Sequence, residues 1–473
     1  MDIEGKKVLV VGLAGSGVAA SRMLLSRGAM VIGNDSKTEA EIRDAAEQLR
    51  KLGAMLSLGG HPESLFVNAD LIVVSPGVPA DLAVLESARA AGIEIISEPE
   101  LAGRFLRGRM IGVTGSNGKT TVTTLIGELM RAAGAEVIVG GNIGTPLTSL
   151  IEKSTDRSWT VAELSSFQLE MIESLRVHVA IVTNITPDHL DRHGTFENYM
   201  RAKHRIFLNQ NESDWAVLNG HDQGVADMAD QLGISSRRIY FSSKGPETMT
   251  GEAADVYLDG GVMHTTMLKD YRGAMKVMRL EEIPLPGMHN VENVMTALAA
   301  IFCAAGTGVD GLPALCEAIK QFKGVEHRIE FVAEIDGIKF YNDSKATNVD
   351  STMKALEAFE RNIIVILGGK DKDSDYTVLA PLIRERVKQV ILIGAASDKI
   401  ASQLEGSSEM SRARSMQEAV LNAMEVAAAG DVVLLAPACA SFDMFDNYEH
   451  RGRVFKEAVY KLASKLTAGG PGD

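Results

Sequence analysis

The chain has 473 residues, 45% of them hydrophobic and 23% charged, which is too much for one ordinary domain and suits two to four globular ones. Its formal charge of −14 argues against nucleic-acid and anionic-membrane partners, so any anion site has to be a local device, such as a loop of backbone N–H groups. Three scattered cysteines, Cys303, Cys316 and Cys439, offer neither metal-ligand spacing nor a disulfide framework.

The opening MDIEGKKVLVVG lacks a cationic region leading into a long apolar one, and the longest apolar runs, such as Ile363–Leu367, are strand-sized. The expectation is a cytoplasmic protein with no membrane insertion.

From the N-terminus, short β-branched apolar runs alternate with helix-length segments. KVLVVG (7–12), MVIGND (30–35), LIVVS (71–75) and IEIIS (93–97) predict strands, with helices over 17–27, 38–52 and 81–91. Near-continuous apolar strands between helices call for parallel sheets covered on both faces. The pattern restarts at RMIGVTG (109–115) and continues through EVIVGG (136–141), TVAEL (160–164), VAIVTNI (179–185) and WAVLNG (215–220). Alternation around Asp259-Gly260-Gly261 predicts a hairpin, the one plainly antiparallel stretch, and a helix follows over 288–305. Two strands, 329–335 and 338–341, lead into a third series at NIIVILGG, QVILIG and DVVLLAP. The tail 467–473 reads as disordered.

The strongest chemical signal is Thr114-Gly115-Ser116-Asn117-Gly118-Lys119-Thr120-Thr121 between a strand and a helix. Glycines let backbone N–H groups turn around phosphate oxygens, and the helix adds its positive end. Lys119 can reach the β/γ-phosphates of ATP and Thr120 can ligate Mg²⁺. The general P-loop pattern wants glycine where Val113 stands. At the N-terminus, Gly12-x-x-Gly15-x-Gly17 also joins a strand to a helix, and Asp35 ends the next strand. This spacing differs from a dinucleotide fingerprint and is open to two readings, a bare tight turn or a cradle for a phosphorylated nucleoside. A second glycine turn, Ser75-Pro76-Gly77-Val78-Pro79, sits at a strand's carboxyl end, the ligand edge of an open sheet.

Further polar clusters end strands. Glu163, then Asp188, His189 and Asp191, are carboxylate and imidazole groups beside a phosphate loop, where Mg²⁺ ligation competes with a simple surface role; Lys203 by default is a solvated lysine. The last third supplies His327-Arg328, Asn342-Asp343-Ser344-Lys345-Ala346-Thr347-Asn348, Gly368–Lys372 and Pro437–Asp443. Polar loops ending several strands suggest one substrate site on a shared sheet edge.

Taken together, TGSNGKTT, ELSSFQLE, TNITPDHLDRHG with Lys203, His289-Asn290-x-x-Asn293, His327-Arg328 and NDSKATN resemble the Mur ligase family along essentially the whole chain. GLAGSG, SPGVP and PACASFDMFDNYEHRG are similar to the D-glutamate-adding members. The resemblance implies three α/β domains: a Rossmann-like domain over 1–107, a central P-loop mononucleotide-binding domain with a small antiparallel insertion over 108–324, and a Rossmann-like domain over 325–473. It implies ATP and two Mg²⁺ ions as cofactors, and UDP-N-acetylmuramoyl-L-alanine and D-glutamate as the substrates joined through an acyl phosphate. A monomer is expected.

By the same resemblance, Gly115 to Thr121 hold ATP phosphates, and Asn293, Arg328 and Asp343 take adenine, phosphates and ribose. Thr120, Glu163, His189 and Lys203, the last as a carbamate, become metal ligands. Gly15, Ser16, Asp35, Ser36, Ser75 and Gly77 cradle the uridine diphosphate, with Asn142 and His189 near the muramoyl-alanine part. Thr347, Lys372, Ser441, Phe442 and Tyr448 match the D-glutamate site. Lys119, Glu163, His189, Lys203 and Asn142 form the catalytic group. The alternatives are the L-alanine-adding relative, a folylpolyglutamate synthase, which should lack a nucleotide-sugar domain like residues 1–107, and, from another class, a P-loop NTPase switch or kinase.

Overall fold

A computed structural model describes residues 1–468. The first sheet contains β1 (Lys7–Val11), β2 (Met30–Asp35), β3 (Met55–Leu58), β4 (Leu71–Val74) and β5 (Ile95–Ser97), in the spatial order β3-β2-β1-β4-β5 and parallel throughout. Alternate residues of β1 enter opposite cores: Val8 and Val10 join one, Leu9 and Val11 the other. That explains the unbroken apolar run VLVV over 8–11, since both faces are covered. The order reverses between β1 and β4, which places the crevice for a ligand at their carboxyl ends.

The second sheet has nine strands. Its parallel part is β6 (Arg109–Thr114), β7 (Val137–Gly141), β8 (Trp159–Glu163), β9 (Val179–Val182), β10 (Trp215–Asn219) and β11 (Arg237–Ser242). β12 (Val256–Asp259), β13 (Val262–Thr265) and β14 (Met275–Arg279) complete it, in the order β14-β13-β12-β11-β10-β9-β6-β8-β7. β12 pairs antiparallel with β13 through Asp259↔Val262. Gly260 and Gly261 turn between them with φ of 54° and 75°, the pair of positive values that a two-residue hairpin matched to strand twist requires.

The third sheet contains β15 (Glu330–Ile335), β16 (Ile338–Asn342), β17 (Ile363–Leu367), β18 (Val387–Ile393), β19 (Glu409–Ala413) and β20 (Val432–Leu435), ordered β15-β16-β20-β17-β18-β19. β15 and β16 form a second antiparallel hairpin, so the insertion near 259 is not the one antiparallel stretch. The helix Tyr448–Ala468 seats Phe455, Val459 and Leu462 in the core over this sheet. It carries Thr467 and Ala468 as helix, which corrects the start of the expected disordered tail; the rest of that tail lies outside the described residues.

The described chain forms two compact units. Met1–Glu282 with Val291–Lys320 holds the first two sheets, and Ile283–Asn290 with the chain from Gln321 onward holds the third. Among the described residues no helix is long and apolar enough to cross a membrane.

Candidate active site

The phosphate loop lies between β6 and helix α1 (Lys119–Ala132). Leu125, Ile126 and Leu129 are fully buried and seat this helix on the sheet; truncating one of them to alanine costs roughly 2–5 kcal/mol. Gly115 has φ 142°, and a Cβ there would stand 2.0 Å from Thr183 Oγ1. At Gly118, φ 82°, a Cβ would stand 2.5 Å from Asn293 Oδ1. Val113, where the general pattern has glycine, is a fully buried β6 residue.

The loop is fastened from behind. Ser116 N–H donates to the Asn184 carbonyl and Asn117 N–H to Asn184 Oδ1, both at 2.9 Å. The Ser116 hydroxyl donates to the Thr186 carbonyl, accepts from Thr186 N–H and meets the Tyr199 hydroxyl, each at 2.9 Å. Ser116 and Asn117 therefore hold the loop's shape. The Lys119 ammonium folds over it, donating to the carbonyls of Gly115 at 2.9 Å and Ser116 at 2.8 Å. Thr121, in the first turn of α1, is buried.

Glu163 ends β8, next to β6, and is 2% exposed. Its carboxylate accepts from the Thr120 hydroxyl at 2.7 Å and from Asn142 Nδ2 at 2.8 Å. Asn142 in turn lines a cavity of about 700 Å³. Six of the expected cradle residues line the same cavity, namely Gly15, Ser16, Asp35, Ser36, Ser75 and Gly77. Its floor is tight: the Ser75 hydroxyl donates to the Gly12 carbonyl at 2.7 Å, and a Cβ at Gly17 would stand 1.9 Å from that oxygen. Both Asp35 oxygens already accept a backbone N–H, from Leu13 at 2.8 Å and from Lys37 at 2.9 Å. Asp35 thus shapes the loop as well as facing the cavity.

Lys203 is 1% exposed, donates to the Gly115 carbonyl at 2.7 Å and lies 4.5 Å from the Tyr199 ring centroid. Burial, and then the charge of Lys119, push its ammonium well below the usual lysine range, against the pull of Asp188 and Glu163. The solvated lysine of the default reading is therefore a buried one. His189 has φ 51° and a half-exposed ring 4.9 Å from that of Phe167, with Nε2 3.6 Å from Asp188. The side chain of Asp191 lies outside the described residues.

In the second unit, β16, β20 and β17 are adjacent and parallel, so the loops after them share one edge. Ala438 N–H donates to the Ala346 carbonyl at 2.9 Å, and Lys370 N–H to the Ala440 carbonyl at 2.8 Å. Asp343 is buried, which pushes its carboxyl up to about 7 against the opposing charge of Arg328. Ser441 is buried and Phe442 is 68% exposed; Lys372 is exposed and Thr347 half-buried. The Tyr448 hydroxyl accepts from Lys345 Nζ at 3.4 Å.

Three family models match in chain order: the Mur ligase MurD-like N-terminal domain over residues 6–97, the Mur ligase middle domain over 113–301, and the Mur ligase glutamate ligase domain over 327–439. UDP-N-acetylmuramoylalanine–D-glutamate ligase of Koribacter versatilis is 47% identical over 98% of this chain and 99% of its own. The enzyme of the same name from Acidobacterium capsulatum is 48% identical over 97% of each. The chain belongs to the Mur ligase family. Among solved structures, the UDP-N-acetylmuramate-alanine ligase of Thermotoga maritima matches with a TM-score of 0.58 at 20% identity, over 97% of this chain and 100% of that one, and shares the fold.

Sequence reasoning passed over several residues of this Mur ligase. The Arg192 guanidinium donates to the carbonyls of Pro76 at 2.8 Å and Val78 at 2.9 Å, pairs with Glu170 and lies 4.1 Å from the Phe167 ring centroid. It ties the second glycine turn of the first sheet to the second sheet. Arg451, 1% exposed, donates to the Ser344 hydroxyl and carbonyl and to the Cys439 carbonyl, fastening two of the strand-end loops together. Both lie inside quoted motifs, DRHG and EHRG, but only the fold pairs them with carbonyls distant in sequence.

Proposed function

We propose that this Mur ligase forms the amide bond between the L-alanyl carboxylate of UDP-N-acetylmuramoyl-L-alanine and the amine of D-glutamate, at the expense of ATP, in peptidoglycan precursor synthesis. The observation that carries the reading is the chain cavity–Asn142–Glu163–Thr120. A pocket sized for a nucleotide sugar meets the phosphate loop through one buried carboxylate. The two named relatives, similar over nearly their whole length, supply the substrate identities.

A carboxylate oxygen is a poor leaving group until it is phosphorylated, and bringing two anions together needs their charge neutralised. Lys119 and the N-terminus of α1 provide fixed positive potential on the phosphate side. Attack of the D-glutamate amine on the acyl phosphate forms the amide and releases phosphate. Gly15, Ser16, Asp35, Ser36, Ser75 and Gly77 would hold the uridine diphosphate, and Asn142 would orient the muramoyl-alanine end. Asn293, Arg328 and Asp343 would take ATP. Thr347, Lys372, Ser441, Phe442 and Tyr448 would take D-glutamate.

Two Mg²⁺ ions are part of the proposal. The Thr120 hydroxyl and Glu163 carboxylate are hard oxygen donors facing one another, a donor set that fits the first. A lysine ammonium is no metal ligand, so His189 and Lys203 fit the second only after Lys203 adds CO₂. In that step the neutral amine bonds to the carbon and loses a proton, leaving a carbamate anion. Buried Lys203, held toward its neutral form, suits this addition. The bound ions would offset phosphate charge.

Domain joints near 107 and 325, a monomeric state and a cytoplasmic location belong to the same proposal. Its test is the mass of the product from ATP, UDP-N-acetylmuramoyl-L-alanine and D-glutamate: a gain of one glutamyl residue supports it, and recovery of unchanged nucleotide sugar overturns it.

A further inference from the structure

The loop after β17 contains a hydrogen-bonded network that none of the proposed substrate contacts uses. Its centre is Tyr376, a fully buried core residue of the third sheet. The Tyr376 hydroxyl donates to Asp371 Oδ1 at 2.8 Å and lies 3.0 Å from Cys439 Sγ. Asp371 Oδ2 accepts from Lys399 Nζ at 2.7 Å. Against the cost of desolvation, the hydrogen bonds from Lys399 and Tyr376 hold the Asp371 carboxyl down to about 2. An ionised carboxylate only accepts, so the single Tyr376 hydrogen is committed to Asp371. The Tyr376 oxygen is then left to accept from the Cys439 thiol. The donors run one way, from Cys439 through Tyr376 to Asp371, and Lys399 closes the far end.

This network joins two loops. Asp371 Oδ1 also accepts from Ser374 N–H at 3.3 Å, which closes a turn with Lys372 and Asp373 at its tip; Asp373 has φ 57°. At the other end, Cys439 stands two residues before Ser441. Lys370 and Ala440 exchange backbone hydrogen bonds at 2.8 and 3.1 Å between the same loops. A Cβ at Gly369 would stand 2.3 Å from the Ala440 carbonyl, so the backbones approach as closely as glycine allows. Behind them, Tyr376 N–H donates to Gln403 Oε1 at 2.8 Å. Gln403 and Lys399 belong to the helix Ser397–Gln403, which anchors the whole network. Lys372 itself is exposed, so the turn that Asp371 closes sets where its ammonium starts from.

We infer that Asp371 and Tyr376 are positioning residues of the amino-acid site: without touching substrate, they fix Lys372 relative to Ser441 and so set the affinity for D-glutamate. This rests on the assignment of Lys372 and Ser441 to D-glutamate. A ligand held by groups from two loops binds well only when those groups already stand at the right separation, because ordering a loop on binding subtracts from affinity.

The experiment is steady-state kinetics of the full-length enzyme with D-glutamate and ATP varied in turn. The variants are Asp371→Ala, Asp371→Asn, Tyr376→Phe, Lys372→Ala and the double variant Asp371→Ala/Lys372→Ala. Asp371→Ala should raise the D-glutamate KM about tenfold, with kcat and the ATP KM within about twofold of wild type. Asp371→Asn, which keeps an acceptor for Ser374 and Tyr376, should recover part of that loss. Tyr376→Phe keeps the buried ring and should raise the same KM about threefold. Because Asp371 acts through Lys372, adding Asp371→Ala to Lys372→Ala should change the D-glutamate KM less than about threefold, a non-additivity that a general loss of stability does not produce. An unchanged D-glutamate KM in Asp371→Ala, the full tenfold loss again in the double variant, or an equal rise in the ATP KM each overturns the inference while leaving the D-glutamate site standing. Should Asp371→Ala fail to fold, Tyr376→Phe decides the matter, and an unchanged D-glutamate KM there overturns it. An unchanged D-glutamate KM in Lys372→Ala alone overturns both the inference and the assignment beneath it.

Discussion

Asn142 grips Glu163 twice: its backbone N–H donates to the Glu163 carbonyl and its side chain to the Glu163 carboxylate, both at 2.8 Å. The neighbouring Gly141 has φ 106°, and a Cβ there would stand 2.3 Å from the same carbonyl, so the chain can approach this closely only as glycine. Asn142→Ala removes the side-chain donor and leaves Oε1 of a buried carboxylate unmatched. We expect kcat/KM for the nucleotide sugar to fall at least about tenfold, equivalent to about 1.4 kcal/mol. Asn142→Asp should fall further, because two carboxylates then face each other. Near-normal turnover in both variants would separate Asn142 from the chemistry.

Glu98 gives a stability prediction with a definite sign. It is fully buried, and Oε1 accepts from both N–H and hydroxyl of Thr148 at 2.7 Å. Burial raises its carboxyl from the usual carboxylate range to about 7. The folded state therefore binds more protons than the unfolded chain between roughly pH 4.5 and 7, and stability falls as pH rises across that window. Glu98→Gln removes the titration. Relative to wild type it should gain stability as pH rises from 4.5 to 7, by up to about 3 kcal/mol. Chemical denaturation of both proteins at several pH values checks this, and parallel pH profiles would contradict it.

The central strands were readable because burial on both faces leaves an unbroken apolar run, as in IIVIL of β17. β3, β11 and β19 were not, since MLSL, RRIYFS and EMSRA mix polar with apolar residues and break up the apolar run. Glycine turns and strand-end loops could be placed from spacing alone. The pairing of Asn142 with Glu163 could not, because it depends on β7 lying beside β8, and sequence carries no register. Polar roles such as those of Ser116, Arg192 and Arg451 are hidden for the same reason: each partner comes from another segment.

Lys203 provides a chemical-rescue test. Its amine is buried beside Lys119 and Gly115, and its proposed carbamate supplies an anion. Lys203→Ala should lose most activity, and formate or acetate should restore part of it by filling the vacated anion position. Lys119→Ala, which removes a cation, should release no phosphate and show no rescue, with nucleotide-sugar affinity within a few-fold of wild type. A fully active Lys203→Ala enzyme would remove the carbamate from the account.

Lys372 is exposed in the loop after β17, close in sequence to Lys370, whose N–H donates to the Ala440 carbonyl next to Ser441. Lys372→Ala should raise the KM for D-glutamate about tenfold or more, the loss of one charge-assisted hydrogen bond, with little change in the KM for ATP. An unchanged D-glutamate KM would place the amino-acid site elsewhere.

The central claim is that ATP cleavage is coupled to joining one particular amino acid to one nucleotide sugar. Phosphate release from ATP should be measured with each UDP-muramoyl precursor against a panel of L- and D-amino acids. The account predicts release only when UDP-N-acetylmuramoyl-L-alanine and D-glutamate are both present. Release from ATP alone, as from a nucleotide-hydrolysing switch, or with UDP-N-acetylmuramate and L-alanine, would contradict it.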